Sequence, residues 1–536
     1  MLKWFGILLI ALGLQAQDVH IQVLGTTDMH GHVMAEDTFS LQPANQGWAK
    51  VATLIRQLKA ANPNTVLVDC GDTIQGEPIN YIHNVLRPDL PEPSIAIMNA
   101  LGYAAMVVGN HEYNFGLGVL RSAQKEATFP FLSANTVETA SGKPAFPTST
   151  VVTVAGVRIL LVGFTTPRIP RWEEPENYAG LRFLDIVDTA RTLVPRLKAE
   201  ARADVVIALV HSGLGEVDGH PGDENEALRL DDQVPGLDAI FTGHTHEAIE
   251  TTYKGIPILQ ASCFGRALAV VDLDMARVDG RWHVALAKGH LVRPDDSTAV
   301  DPEVLTLTQA LRAATTRYLD TPATNLLTDL DGRWGRMEDT PLAQLLHTVQ
   351  LKATGAQLSA VACADPHIFI PKGATSVRQF YALEPYENRV AMIRITGAQL
   401  KLYLEHAARA YHFSWQPDLF NPKVPFFDID TVAGVNYALD LGKPVGHRVV
   451  GLAYQGKPVR PEDSFTLALS TYRLRGGGGY MEAIGFKGKP ELVTEDLQRN
   501  LLLEYVLSRS SLSVAAVNNW RTIPYLDRER LLLPAK

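Results

Sequence analysis

Gly109-Asn110-His111-Glu112 follows directly on the apolar run 104–108, so an amide and an imidazole stand where a buried strand should end in a loop. Four other segments repeat the arrangement. Apolar run 19–27 closes on Asp28-Met29-His30, run 65–68 on Asp69-Cys70-Gly71-Asp72, run 205–210 on His211, and run 237–242 on Gly243-His244-Thr245-His246. In an open α/β sheet, ligands gather outside the carboxyl ends of the strands. A single D-x-H or H-x-H is ordinarily a cap, a turn residue or a satisfied polar group. Five in series, in the order D-x-H, G-D, G-N-H-E, H, G-H-x-H, deliver seven oxygen or nitrogen donors to one sheet edge and imply a pocket for two divalent cations.

The rest of the chain fits such a sheet. Trp48–Ala61 has helical spacing before the strand at 65–68, and 94–101 has it before the strand at 104–108; this alternation implies crossover connections and a largely buried sheet. Ala155-Gly156, between apolar segments 151–154 and 157–164, signals a hairpin, so the sheet is expected to be mixed. Helix Ile186–Ala201 leads into the strand ending at His211. Segment 255–261 reads as a strand whose Pro257 suggests an edge or a bulge. A last strand, 266–273, is expected to close this half.

The chain has 536 residues, more than the about 250–300 that one hydrophobic core supports. Residues 292–301, with Arg293-Pro294-Asp295-Asp296, have linker composition, and Pro302–Leu319 reads as a joining helix. Beyond it, helices at 341–355, 376–381 and 397–410 alternate with strands at 358–363 and 389–395. The expected division is 1–17, 18–300, a linker helix at 301–320, and 321–536. The fold class is α/β (α+β), with two stacked mixed sheets, flanking helices and a second α/β domain.

Net charge of -9 is spread without basic runs, which argues against polymeric nucleic acid as a partner. Small anions are compatible, because a local metal charge overrides the global sign. Met1-Leu2-Lys3, the apolar run 4–14 and Gln15-Ala16-Gln17 read as a secretory signal, with an uncleaved anchor as the alternative. The run is short of the about 20 residues that span a bilayer, so no stable membrane association is expected and the mature chain is placed in the periplasm or outside the cell. Three cysteines, Cys70, Cys263 and Cys363, form no disulfide framework; Cys70 and Cys263 read as small buried hydrophobes.

The order and spacing of the five ligand loops resemble those of the calcineurin-like metallophosphoesterases, and specifically the secreted nucleotidase and cyclic phosphodiesterase family with a C-terminal nucleoside-binding domain. The resemblance covers essentially the whole mature chain. It implies Asp28, His30, Asp72 and His246 on one metal, and Asp72, Asn110, His211 and His244 on the other, with Asp72 bridging. Mixed imidazole and carboxylate shells suit Mn, Zn, Fe or Co rather than Ca or Mg. His32 is the nearest competitor of His30, and the family pattern matches His30. Asn110 and His111 are the implied catalytic residues, His111 stabilising the transition state or protonating the leaving oxygen; the plainer role is orienting a ligand. In the family's 5′-nucleotidases the following segment continues Glu-Phe-Asp. Here it is Glu112-Tyr113-Asn114, which resembles the 2′,3′-cyclic-nucleotide 2′-phosphodiesterase/3′-nucleotidase branch.

In the second half, Phe426-Phe427-Asp428-Ile429-Asp430 and Ser470-Thr471-Tyr472-Arg473, the latter followed by Gly476–Gly479, resemble the segments that supply two base-stacking aromatics. The implied clamp is Phe427 and Tyr472; either ring has a core role as its alternative, and the phase of Phe427 is open by one residue. Asp430 is set either against a base or ribose or in a turn. Asn114 is placed beside the substrate. The region Ala364-Asp365-Pro366-His367-Ile368-Phe369 lacks the arginines of the 5′-nucleotidase branch. The resemblance thus implies a monomer acting on small-molecule nucleotides, cleaving 2′,3′-cyclic nucleotides to 3′-nucleotides and these to nucleoside and phosphate. The alternatives are a 5′-nucleotidase or UDP-sugar hydrolase and, in another class, a non-catalytic surface binding protein.

Overall fold

The computed structural model describes residues 19–362, 367–414 and 418–524. The expected export signal, Cys363 and residues 364–366 of the arginine-free region lie outside the described residues.

Two six-stranded sheets carry the first half. One runs in the order Arg281–Val292, Leu268–Val278, Val19–Thr26, Thr65–Asp69, Ala105–Val107, Phe131–Leu132; the other runs Ala248–Tyr253, Ile256–Ala261, Ala239–Thr242, Val205–His211, Val157–Thr165, Ser149–Val154. Inner strands pair in parallel, as in Thr26 with Asp69 and Asp69 with Met106, while Leu268–Val278 and Ser149–Val154 pair antiparallel. The sheets are mixed, as the turn chemistry at Ala155-Gly156 implies. Parallel strands buried on both faces need apolar side chains on both. Ile21 and Val23 accordingly point into a core shared with Leu161, Leu209 and Phe241 of the other sheet, whereas Leu24 points the other way, under Trp48 and Ile95 of the covering helices. Because the inner strands run in one direction, their carboxyl ends open on one edge.

Two expectations change. Pro257 lies in an inner strand, not at an edge, since Ala248–Tyr253 covers that side. It is tolerated there because pairing with the other neighbour begins only at Ile240 with Ile258, so no ladder donor is lost. The first half also does not close at 273: strand Leu268–Val278 turns at Asp279 and Gly280, with φ of 50° and 80°, into the long strand Arg281–Val292. Asp-Gly is a strong two-residue hairpin signal.

Asp301 caps helix Pro302–Leu319, accepting from the Glu303 and Val304 amides at 2.9 and 3.1 Å, with Pro302 pre-set at the first position. The second half holds a five-stranded sheet in the order Asp430–Ala433, Leu358–Ala362, Ser464–Ser470, Arg389–Thr396, Leu492–Leu497, and a smaller four-stranded sheet. Ile393, Leu467, Tyr403 and Leu404 fill its core. The halves meet over the open edge of the first sheets. Buried Arg499 stacks on Tyr81 of the first half and Tyr381 of the second, at 4.6 and 4.3 Å, and pairs with Glu387 at 3.2 Å. Glu387 in turn accepts from the Gln75 side chain at 2.5 Å. No helix among the described residues is long and apolar enough to cross a membrane.

Candidate metal centre and the face above it

The open edge brings together all seven donors expected from the strand ends. Side-chain donor atoms of Asp28, His30 and His246 lie within 4.8 Å of one another, as do those of Asp72, His211 and His244. Asn110 joins the second group, its Oδ1 at 3.0 Å from His211 Nε2 and 2.9 Å from His244 Nδ1. Asp72 lies between the groups, Oδ2 at 3.1 Å from His211 Nε2 and 3.8 Å from His30 Nε2. Five of the seven occupy left-handed backbone: Asp28, His30, Asp72, His244 and His246, with φ between 46° and 78°. L-residues visit that region at a cost. Gly109 makes the approach possible, since a Cβ there would stand 2.3 Å from Asp72 Oδ1. Glu112 ties the two loops, accepting from the Asp72, Thr73 and Gly109 amides at 2.8, 2.6 and 2.7 Å.

Hydrogen bonds fix which imidazole nitrogens face inward. His30 Nδ1 donates to the Gln75 carbonyl at 2.8 Å and His211 Nδ1 to the Cys70 carbonyl at 2.6 Å, so each presents Nε2. His244 does the reverse, donating from Nε2 to Glu224 at 2.9 Å and presenting Nδ1. Histidine ligands are oriented in this manner by carbonyls and carboxylates behind them. The inward nitrogens of His211 and His244 converge on the Asn110 oxygen, and that of His211 also on Asp72. Two imidazole nitrogens, a carboxylate and an amide oxygen gathered in this way are a donor set that fits a divalent ion, which would take the place of the protons these contacts otherwise share. The cause of each shift is local. Burial opposes charging His211, but Asp72 outweighs it and raises the ring to about 9. His246, also opposed by burial, is raised to about 11 by its bond to Asp28 and by the Cys263 thiol. His30 falls to about 3, through burial and then the charge of His246. Asp72 is held well below the carboxylate range by His211 and His111 despite burial.

His111 stands beside the ligands, its ring 5.0 Å from that of His30 and its backbone N–H bonded to Asp72 Oδ1 at 2.8 Å. Its Nδ1 lies 2.6 Å from Asn114 Oδ1, and the other end of that amide bonds Glu173, a carboxyl pushed up to about 7 by burial. His32 is turned away, paired with Glu77 at 3.1 Å and stacked on Phe264 at 4.1 Å. Cys70 and Cys263 are buried free thiols.

The second half carries the aromatic residues of the expected clamp. Phe426 and Phe427 sit on a 3-10 turn, each 40% exposed. Tyr472 is partly buried against the glycine cluster, where a Cβ on Gly477 would strike its ring at 2.5 Å. Burial foremost, with Asp428 and more distantly Glu224, pushes the Tyr472 phenol up to about 12; Glu224 is also the partner of His244. Asp430 lies apart from this face. It is 4% exposed, with its carboxylate gripped by Arg473 at 2.9 and 3.1 Å and by the Tyr403 hydroxyl, which leaves no free edge for a base. Arg473 also bonds Asp428 at 2.7 Å and the Phe427 carbonyl at 2.5 Å, so it ties the two aromatic segments together. The roles of Arg473, Glu173 and Glu224 were not legible in the sequence: Arg473 adjoins Tyr472, while Glu173 and Glu224 adjoin no recognisable residue, and only the fold shows what each touches.

Residues 21–248 match the family profile of the calcineurin-like phosphoesterases and residues 313–484 that of the 5′-nucleotidase C-terminal domain. The chain is 30% identical, over 96% of its length, to the 2′,3′-cyclic-nucleotide 2′-phosphodiesterase/3′-nucleotidase of Haemophilus influenzae, of which it covers 89%. It is also 30% identical, over 95% of its length, to the trifunctional nucleotide phosphoesterase protein of Bacillus subtilis, but spans only 39% of that protein. Among solved structures, the putative 5′-nucleotidase from Staphylococcus aureus superposes with a TM-score of 0.82 at 23% identity, covering 94% of this chain and 100% of that one. The 5′-nucleotidase precursor from Thermus thermophilus gives 0.69 at 22%, covering 94% and 100%. These two share the fold. The strand-end ligand edge, the matched profiles and the relative aligned along nearly its whole length place the chain in the calcineurin-like phosphoesterases that carry a 5′-nucleotidase C-terminal domain, a family of metal-dependent phosphoric ester hydrolases.

Proposed function

We propose that this protein hydrolyses 2′,3′-cyclic nucleotides to 3′-nucleotides and then releases phosphate from the 3′-nucleotides. The observation that carries the reading is the His111 Nδ1 contact with an amide, Asn114 at 2.6 Å, where the 5′-nucleotidase pattern has a carboxylate. The Haemophilus influenzae relative named for both steps supports it. In this reading residues 18–300 form the catalytic unit, 301–320 a linker helix and 321–536 the substrate-binding unit of an exported, monomeric enzyme.

Asp28, His30, Asp72 and His246 would hold one divalent ion, and Asp72, Asn110, His211 and His244 a second, with Mn, Zn, Fe or Co suited to such donors. When bound, such a pair supplies Lewis acidity that lowers the pKa of water and neutralises charge on the phosphoryl oxygens. In the first step a water oxygen bonds to phosphorus, the bond to the ribose 2′ oxygen breaks, His111 Nε2 gives that oxygen its proton, and the proton lost by the water restores His111. In the second the 3′ oxygen leaves in the same way, with the same return of the water's proton to His111. Phe427 and Tyr472 stack on the base, which any base satisfies because every base has a π face.

The test is phosphate and nucleoside release by the purified chain with added Mn²⁺, comparing 3′-AMP, 5′-AMP and 2′,3′-cyclic AMP. Preference for the 3′ and cyclic substrates is the expected result; preference for 5′-AMP overturns it.

A further inference from the structure

Glu173 lies between the 3-10 turns Ile169–Arg171 and Pro175–Tyr178, away in sequence from every ligand, yet it is only 2% exposed. One carboxylate oxygen accepts from Asn114 Nδ2, the other from Asn177 Nδ2 at 3.0 Å. Asn177 also donates to the Asn114 backbone carbonyl at 3.1 Å, which pins the main chain of the same residue. An amide has one donor end and one acceptor end. With its donor end on Glu173, Asn114 must turn Oδ1 toward His111, and an oxygen at 2.6 Å from Nδ1 requires that nitrogen to carry the hydrogen. Nε2 is then the nitrogen left to face the edge where His30 and Asp72 converge with His111 within 4.8 Å.

We infer that Glu173 is a positioning residue for the reaction: acting through Asn114, it fixes the tautomer and the aim of His111. A carboxylate one side chain removed polarises the intervening amide and strengthens the acceptor that His111 uses, because hydrogen bonds in a buried chain reinforce one another. The arrangement replaces a carboxylate at position 114. If Asn114 were an aspartate, its charge would abut Glu173 in a buried site, and two carboxylates that close cannot both ionise. The amide at 114 and the acid at 173 therefore form a matched pair.

The inference rests on the reading of His111 as proton donor to the leaving oxygen, and the experiment separates the two. The metal-loaded enzyme is assayed on 3′-AMP, whose leaving alcohol needs a proton, and on 4-nitrophenyl phosphate, whose leaving phenolate does not. Glu173→Ala is expected to lower kcat on 3′-AMP with KM within about twofold, and the loss is expected to exceed that on 4-nitrophenyl phosphate by about tenfold or more, as a general acid worth roughly 10²–10⁴ allows. His111→Ala should show the same asymmetry. If His111→Ala shows it and Glu173→Ala does not, the positioning role is overturned while the reading of His111 stands. If neither does, both fall. A second pair of variants guards against misfolding: Asn114→Asp is expected to be impaired, and adding Glu173→Gln, whose amide donates to the new carboxylate, to restore activity on 3′-AMP. A double variant no better than Asn114→Asp also overturns the inference.

Discussion

The two faces that meet at the cleft are built on opposite terms. On the candidate metal-ligand edge five of the seven donors are buried, and three of the histidines are held from behind: His30 by a carbonyl at 2.8 Å, His211 by another at 2.6 Å, His244 by Glu224 at 2.9 Å. On the aromatic face Phe427 is 40% exposed and anchored through its backbone, with Arg473 gripping its carbonyl rather than its ring. A reacting phosphorus needs donors placed to within a fraction of an ångström. A base needs only a flat surface, and a ring on a turn supplies one.

If that contrast is right, substitutions on the two sides should differ in kind as well as size. The largest effect is expected at Asp72, which touches both ligand groups. Asp72→Asn should lower turnover by at least about a hundredfold, the scale of losing one transition-state stabiliser, and reduce bound metal per chain measured by plasma emission. Near-normal activity would break the rigid side of the comparison. Next comes Glu224→Gln, which keeps shape but weakens the hold on His244. Metal titration should show affinity lower by about 10–100-fold, with the fold intact by circular dichroism.

On the tolerant side, Phe427→Ala and Tyr472→Ala should each raise KM by roughly tenfold, since stacking is worth roughly 1–3 kcal/mol per base, while kcat holds and adenine and uracil substrates suffer alike. A fall in kcat with unchanged KM would place these rings in the chemistry instead. The smallest effect lies beneath the rigid side. Glu92 caps helix Pro93–Leu101 through the Ile95 amide at 2.7 Å, and burial, foremost, pushes its carboxyl up to about 8. A folded-state value above the unfolded one stabilises the fold at low pH, fully below about 4.3, and that contribution fades as pH rises toward about 8. Urea titrations of Glu92→Gln should therefore show a flatter decline of stability between those limits than the parent chain; an identical slope would assign the decline elsewhere.

How much could be read from the chain alone followed burial. Strands such as Val205–His211, apolar at every position up to the ligand, announce themselves because both faces are covered. Strand Arg281–Val292 is partly open along its length and carries no such run, so the reading that closes this half at 273 passes over it, although its Asp-Gly turn is a signal that could have found it. Pro257 suggested an edge because sequence shows a missing donor but not which side of the strand would need it. Asp430 suggested either base recognition or a turn role, because a carboxylate near two aromatics looks free until Arg473 and Tyr403 are seen to hold it. Glu173 and Glu224 sit in loops without any period, and their partners come from other loops brought near only by folding.

Five candidate ligand residues in left-handed backbone have a consequence for how such a chain tolerates change. At each of these positions glycine would relieve the main chain, and asparagine would tolerate it better than most residues do. A library screened only for survival of heating should collect such replacements at 28, 30, 72, 244 and 246, and those survivors should be the dead ones. Ranking variants of this protein by melting temperature would, at these five positions, rank them in reverse order of use.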